Sequence, residues 1–356
     1  MWRTFAPGSI WVLSVMTANI AVADATTEPI SIKEFRTGTS LALQGDIKAA
    51  LSHLNSVSPD ALTLSQRNTW SCIRTRFQGK KSVSSATGLD KWTAALLAAY
   101  RDYWTRVMLK EINGSVAEHQ LAAKLAKLAS EGISARVAED MDAIEPALEA
   151  RIETHGFHAL FGVTAPMREF MLWRKQTDQT YVVDLPAGQQ TVHVVLLDDF
   201  ISLGWSGYAT CDYYHTAGWA KPDRLYAVRQ AYDLDSESFR VSYLMHEGQH
   251  FSDYQRFPDM KQPDLEYRAK LVELSNAKYT LYDLLDAFAG NESASRATPH
   301  SWANRKLMTQ LADALLHGQA PSSVAWKSIA PADINAAARR LFELDTERWT
   351  AGAAAE

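Results

Sequence analysis

The stretch LMHEGQHF, residues 244–251, sets two imidazoles four positions apart with a carboxylate directly after the first. On a helix, residues i and i+4 are neighbours on one face, so His246 and His250 can hold the same metal ion. Zinc suits this pair because it accepts imidazole nitrogens, and a catalytic zinc keeps three protein ligands and leaves a fourth position to water. The ion lowers the pKa of that water, and a carboxylate takes its proton as the water attacks a carbonyl. Glu247, beside His246, is placed for that general-base task.

The helix itself is predicted without help from the motif. In DLDSESFRVSYLMHEGQHFSDYQRF, Asp235 and Ser236 give a start signal, and Phe239, Val241, Leu244 and Met245 follow as apolar positions. Asp253, seven residues after His246, falls on the ligand face and is a candidate for orienting a histidine.

With a second acid-bearing helix downstream of HExxH, the chain resembles the gluzincin zinc peptidases over about residues 225–280. The resemblance implies that a glutamate on that second helix, QPDLEYRAKLVEL, completes the site. Glu266 is the first choice for this third ligand. Glu273, two turns on, is either an alternative ligand or an acceptor for a histidine N–H, and Asp264 is a third candidate. The resemblance further implies a strand just before the motif helix that binds substrate along its free edge, and RLYAVRQAYDL (224–234) is positioned for it. It also implies a His or Tyr that stabilises the oxyanion, for which His300, His215, Tyr213 and Tyr214 are candidates. His193, inside an expected strand, reads as a core or face residue. No HxxGxxH follows Glu247, so the extended metzincin signature is absent.

The elements around the site are of two kinds. From Ile30 to about Glu153 the chain reads as successive helices, with a break at Gly45-Asp46, a start at Ser58-Pro59, and further helices over 115–130 and 137–153. After Gly156, QTYVVDLP, QTVHVVLLDDF and RLYAVRQAYDL read as strands, and GWSGYATCDYYHTAGWAKPD as a loop. Helical periodicity returns near Ser236 and persists to about Glu347. This order predicts an α+β, predominantly helical protein: a helical N-terminal region over 24–155, then a zincin-like metallohydrolase domain with a small sheet over 156–350.

Residues 1–23 carry Arg3, an apolar stretch and AVA at 21–23, which predicts a cleaved signal peptide and a periplasmic or secreted protein. No later stretch is apolar and long enough to span a bilayer. The formal charge of −5, with no Lys/Arg run, argues against nucleic acid as a partner. Cys72 and Cys211 read equally well as a disulfide or as two thiols. The expected activity is a zinc-dependent hydrolysis of peptide or protein substrates. The alternatives are an inactive zincin-like scaffold or binding protein, working with a partner through the N-terminal helices, and a hydrolase of a non-peptide amide.

Overall fold

The computed structural model describes residues 11–13, 29–79, 88–132, 138–316 and 322–353. The segment read as a signal, 1–23, lies outside these residues apart from the short strand β1 (Trp11–Leu13). Among the described residues no helix is long and apolar enough to cross a membrane.

Six helices follow one another: α1 (Ile30–Leu43), α2 (Ile47–Leu54), α3 (Leu64–Gln78), α4 (Lys91–Met108), α5 (Gly114–Ser130) and α6 (Met141–Thr154). Local chemistry sets their ends. Gly45 adopts φ +75°, which a glycine tolerates, and Asp46 then caps α2 by accepting from Ala49 N at 2.9 Å. Thr63 and Gln66 form a capping box at the start of α3, and Asp90 accepts from Trp92 N and Thr93 N at the start of α4.

Strands begin at β2 (His158–Thr164), which pairs antiparallel with β3 (Met167–Leu185) through the register His158 to Trp173. β3 turns over Pro186 and Ala187 into β4 (Gly188–Leu203), which leads into α7 (Gly204–Thr210). A second hairpin, β5 (Gly218–Lys221) and β6 (Arg224–Val228), completes the sheet, whose order is β1-β5-β6-β4-β3-β2. The region read as one loop between the strands therefore contains α7 and β5. β6 lies between β5 and β4, so RLYAVRQAYDL supplies an interior strand and not the free edge expected of it.

A π-helical stretch, Phe239–Met245, runs directly into α8 (His246–Arg256). Then come α9 (Gln262–Asn276), α10 (Leu281–Ala289), α11 (Pro299–Leu315), α12 (Ser323–Lys327) and α13 (Pro331–Ala353). The protein is α+β and mainly helical.

The chain forms two compact units, residues 1–177 with 196–219, and residues 178–195 with 220–356. In the first, Tyr100, Trp104, Phe161 and Phe170 form part of a continuous core with the helices. Cys72 and Cys211 are joined by a disulfide within it. At the start of α7, Gly204 has φ +84°, and a Cβ there would meet Glu169 Oε1 at 2.1 Å. Glu169 needs this space because its Oε1 accepts from Phe170 N and Trp205 N. Burial pushes that carboxyl up to about 7. In the second unit α9 is buried almost along its whole length, in contact with α8, α11 and α13.

Candidate metal centre

α8 and α9 together bring three donor side chains to one point. His246 and His250 project from one face of α8, and Glu266 from the second turn of α9; one ligand atom from each lies within 4.8 Å of the others, and all three residues are buried. The histidine Nε2 atoms are 3.1 Å apart, and each is 3.5 Å from a Glu266 oxygen. Ligand atoms at ~2.0–2.2 Å around a tetrahedral ion lie about 3.3–3.6 Å apart, so the spacing fits a first-row metal. This buried group is suited to hold a metal ion.

The surrounding residues hold these donors in place. Glu273, two turns after Glu266 on α9, takes the Nδ1–H of His246 at 2.7 Å, which leaves Nε2 turned to the centre. Of the two roles weighed for Glu273, the geometry shows the acceptor. His300, at the start of α11, puts Nδ1 2.7 Å from Glu266 Oε2 while its side chain stays 53% exposed. His250 Nδ1 is buried with no hydrogen-bond partner among the described residues.

Electrostatics follow from this crowding. Burial disfavours a charged His246, but Glu273 and Glu266 outweigh it and lift the imidazole to about 10. Burial also works against the Glu266 carboxylate, yet hydrogen bonds from His246, His250 and His300 hold it well below the usual range. A cation at this point would replace the histidine proton, so metal uptake is coupled to proton release.

Glu247 is almost fully buried, and its Oε1 has no hydrogen-bond partner among the described residues. Burial raises its pKa, and the two histidines draw it part of the way back. Tyr232 and Tyr243 were not singled out by sequence reasoning, because neither has motif spacing. Burial, above all, pushes both hydroxyls up; the charge of Glu247 adds to this at Tyr232, and Tyr232 and then Glu247 add to it at Tyr243. The Tyr243 hydroxyl donates to Tyr226 O, whereas that of Tyr232 is buried without a partner among the described residues.

Gly248, inside the motif, has a packing task. A Cβ there would lie 3.1 Å from Val183 Cγ2 and 3.2 Å from Val192 Cγ2, so the bare backbone lets α8 rest against the tips of β3 and β4.

Other sequence candidates lie elsewhere. Asp264 pairs with Arg296 and takes no part in the cluster. Asp253 turns to Arg268, 2.9 Å away, and not to a histidine. Tyr213 and Tyr214 meet edge to face in the first unit, where Tyr213 also meets Phe35 edge to face and His215 Nδ1 contacts Thr216 O. His193 is an exposed residue of β4 beside Thr180.

No family model, curated protein or solved structure matches this chain.

Proposed function

We propose that the chain is a zinc-dependent hydrolase of gluzincin type, acting on peptide bonds, with His246, His250 and Glu266 as the ligands. The observation that carries the reading is the convergence of these three buried donors with a buried carboxylate next to one of them in sequence, Glu247, whose Oε1 has no partner among the described residues. The donor set favours zinc, because two imidazoles and a carboxylate are its usual catalytic set. When bound, zinc supplies a Lewis acid that polarises a carbonyl and acidifies water.

The chain's own residues supply the rest. Glu273 fixes the tautomer and ring plane of His246, and His300 fixes one oxygen of Glu266. Glu247 cannot share the point where the ligands meet, because consecutive helical residues project about 100° apart. It takes the proton of the attacking water and passes it to the leaving amine. Its pKa, raised by burial, makes it a better base than a solvated carboxylate. The arrangement of α8, α9 and the tips of β3 and β4 supports a zincin-like second unit. The Cys72–Cys211 disulfide supports an exported protein, since such bonds persist in oxidising compartments.

The test is metal analysis of the purified protein together with Glu247→Gln. About one zinc per chain is expected, lost in His246→Ala and in His250→Ala. Glu247→Gln should keep the zinc and the melting temperature while turnover falls by about 10²–10⁴-fold. A wild-type protein that takes up no zinc on dialysis refutes the site, and unchanged turnover in Glu247→Gln refutes the mechanism.

A further inference from the structure

A cavity of about 390 Å³ opens on the second unit between α8, β4 and the turn joining β5 to β6. It shares a helix with the metal cluster. Phe251 follows His250 and lies one turn after Glu247; Tyr254 lies one turn after His250. Residues three apart on a helix are neighbours, so the two rings form an aromatic wall on the α8 side.

The other walls carry hydrogen-bonding groups. Gln190 and His193 come from β4, Asp223 from the hairpin turn, and Gln255 from the rim of α8. Their charges are already matched or absent. The Asp223 carboxylate is held by Arg224 Nε at 2.9 Å, and none of the described lining residues is a lysine or arginine. An acidic ligand would find no cation here, and a basic one would have to compete with Arg224 for its only anion. An aliphatic ligand would offer nothing to the amides of Gln190 and Gln255 or to the remaining hydrogen-bonding positions of His193 and Asp223, whose present partners are Thr180 and Arg224. A ring with one apolar face and a rim of hydroxyls or amides meets both kinds of wall: the face on the aromatics, the rim on the polar groups.

We propose that this cavity is a binding subsite for a neutral sugar unit carried by the substrate, so that the hydrolase acts on a glycan-bearing amide or peptide. The inference rests on the hydrolase reading for the reaction, but the subsite itself stands on its own residues. Its volume falls in the range of small-molecule sites of about 300–1,000 Å³ and takes one or two hexose rings.

The test is calorimetric titration of the full protein with N,N′,N″-triacetylchitotriose, and in parallel with trilysine. The trisaccharide should bind wild type with a Kd of about 1 mM or tighter. Binding should weaken at least tenfold in Asp223→Ala and in Gln255→Ala, two surface positions outside the metal cluster. It should persist in His246→Ala and in protein stripped by a chelator. Absence of binding at about 10 mM overturns the subsite, as does equal affinity in both pocket variants or a preference for trilysine. The two proposals fail separately. Sugar binding in a chain that holds no zinc refutes the hydrolase and supports the subsite; zinc and turnover without sugar binding refute the subsite alone.

Discussion

Arg268→Met probes how the two ligand-bearing helices are locked together. Arg268 is 0% exposed; its Nε donates to Asp253 Oδ2 at 2.9 Å, and its Nη1 to Asp345 Oδ2 at 3.2 Å and to Thr346 Oγ1 at 3.1 Å. Asp253 follows His250 by three residues on α8, and Arg268 follows Glu266 by two on α9, so this pair fixes one helix against the other. Asp345 keeps Lys306 and Arg348 when the arginine is lost. Asp253, also 0% exposed, has no second cation among the described residues, and its Oδ1 has no partner among them. Methionine restores most of the contact that the guanidinium makes with the Phe342 ring, 4.2 Å below it. The remaining loss is that of one stranded buried carboxylate, about 3–5 kcal/mol. For a unit of this size each kcal/mol shifts the midpoint by ~2–4 °C, so thermal unfolding followed by circular dichroism should drop by roughly 6–20 °C. Adding Asp253→Leu removes the stranded charge and should recover most of that loss. A single variant within about 1 kcal/mol of wild type, or a double variant no more stable than the single, refutes the reasoning.

Glu266→Gln removes a ligand charge and should lower zinc affinity by at least about tenfold in a competition titration, whereas Glu273→Gln, which touches only His246 Nδ1, should do less. Reversed magnitudes would make Glu273 the ligand. The Glu169 carboxyl, pushed up to about 7 by burial, binds its proton more tightly folded than unfolded. Stability of the first unit should therefore be highest near pH 4.5 and decline as pH rises through 7, by about 3 kcal/mol for this group. Glu145 in the same unit is also pushed up to about 7 by burial, so Glu169→Gln should remove part of that slope in chemical unfolding at pH 5 and pH 8, and an identical slope would show that Glu169 does not contribute to it. Reduction of Cys72–Cys211, which are 139 residues apart, or Cys72→Ser, should destabilise the first unit by about 5 kcal/mol on the chain-entropy model. Two free thiols in the native protein under oxidising conditions would contradict the bond.

The candidate metal centre was legible in part because HExxH is a local signal, fixed by helical spacing that survives in a single sequence; the acid on the next helix was implied by the gluzincin resemblance. Glu273 fell on the right face by helical spacing, but its partner could be settled only by the packing of α9 against α8. Asp253 and Asp264 were misplaced because each is claimed by an arginine far away in the sequence, Arg268 and Arg296. The sheet was half legible. The start of β3, 167–173, is buried at six of seven positions and so shows no alternation, and none of residues 174–182 is buried, so the strand could be read only from Gln179 onward. β6 was found, but its two neighbours depend on pairing with β5 and β4, which no local pattern encodes. β5 lay hidden in a glycine-rich stretch of four strand residues. The π-helical turns before α8 were equally silent, because Phe239, Val241, Leu244 and Met245 fit an α-helix as well.

The disulfide also decides how the chain behaves when cut. Cys72 and Cys211 close a covalent ring that contains residues 178–195, the β3–β4 tip that belongs to the second unit. A single cleavage anywhere from 73 to 210 opens the ring without releasing a fragment, and the nicked chain keeps its mass until a reductant is added. Cleavage after 211 leaves α8 and α9 with no covalent link to residues 1–211. Exposed residues of the strand tip can therefore be clipped while the chain stays one covalent molecule, whereas a clip in the segment leading to α8 yields two fragments on denaturing electrophoresis even without a reductant.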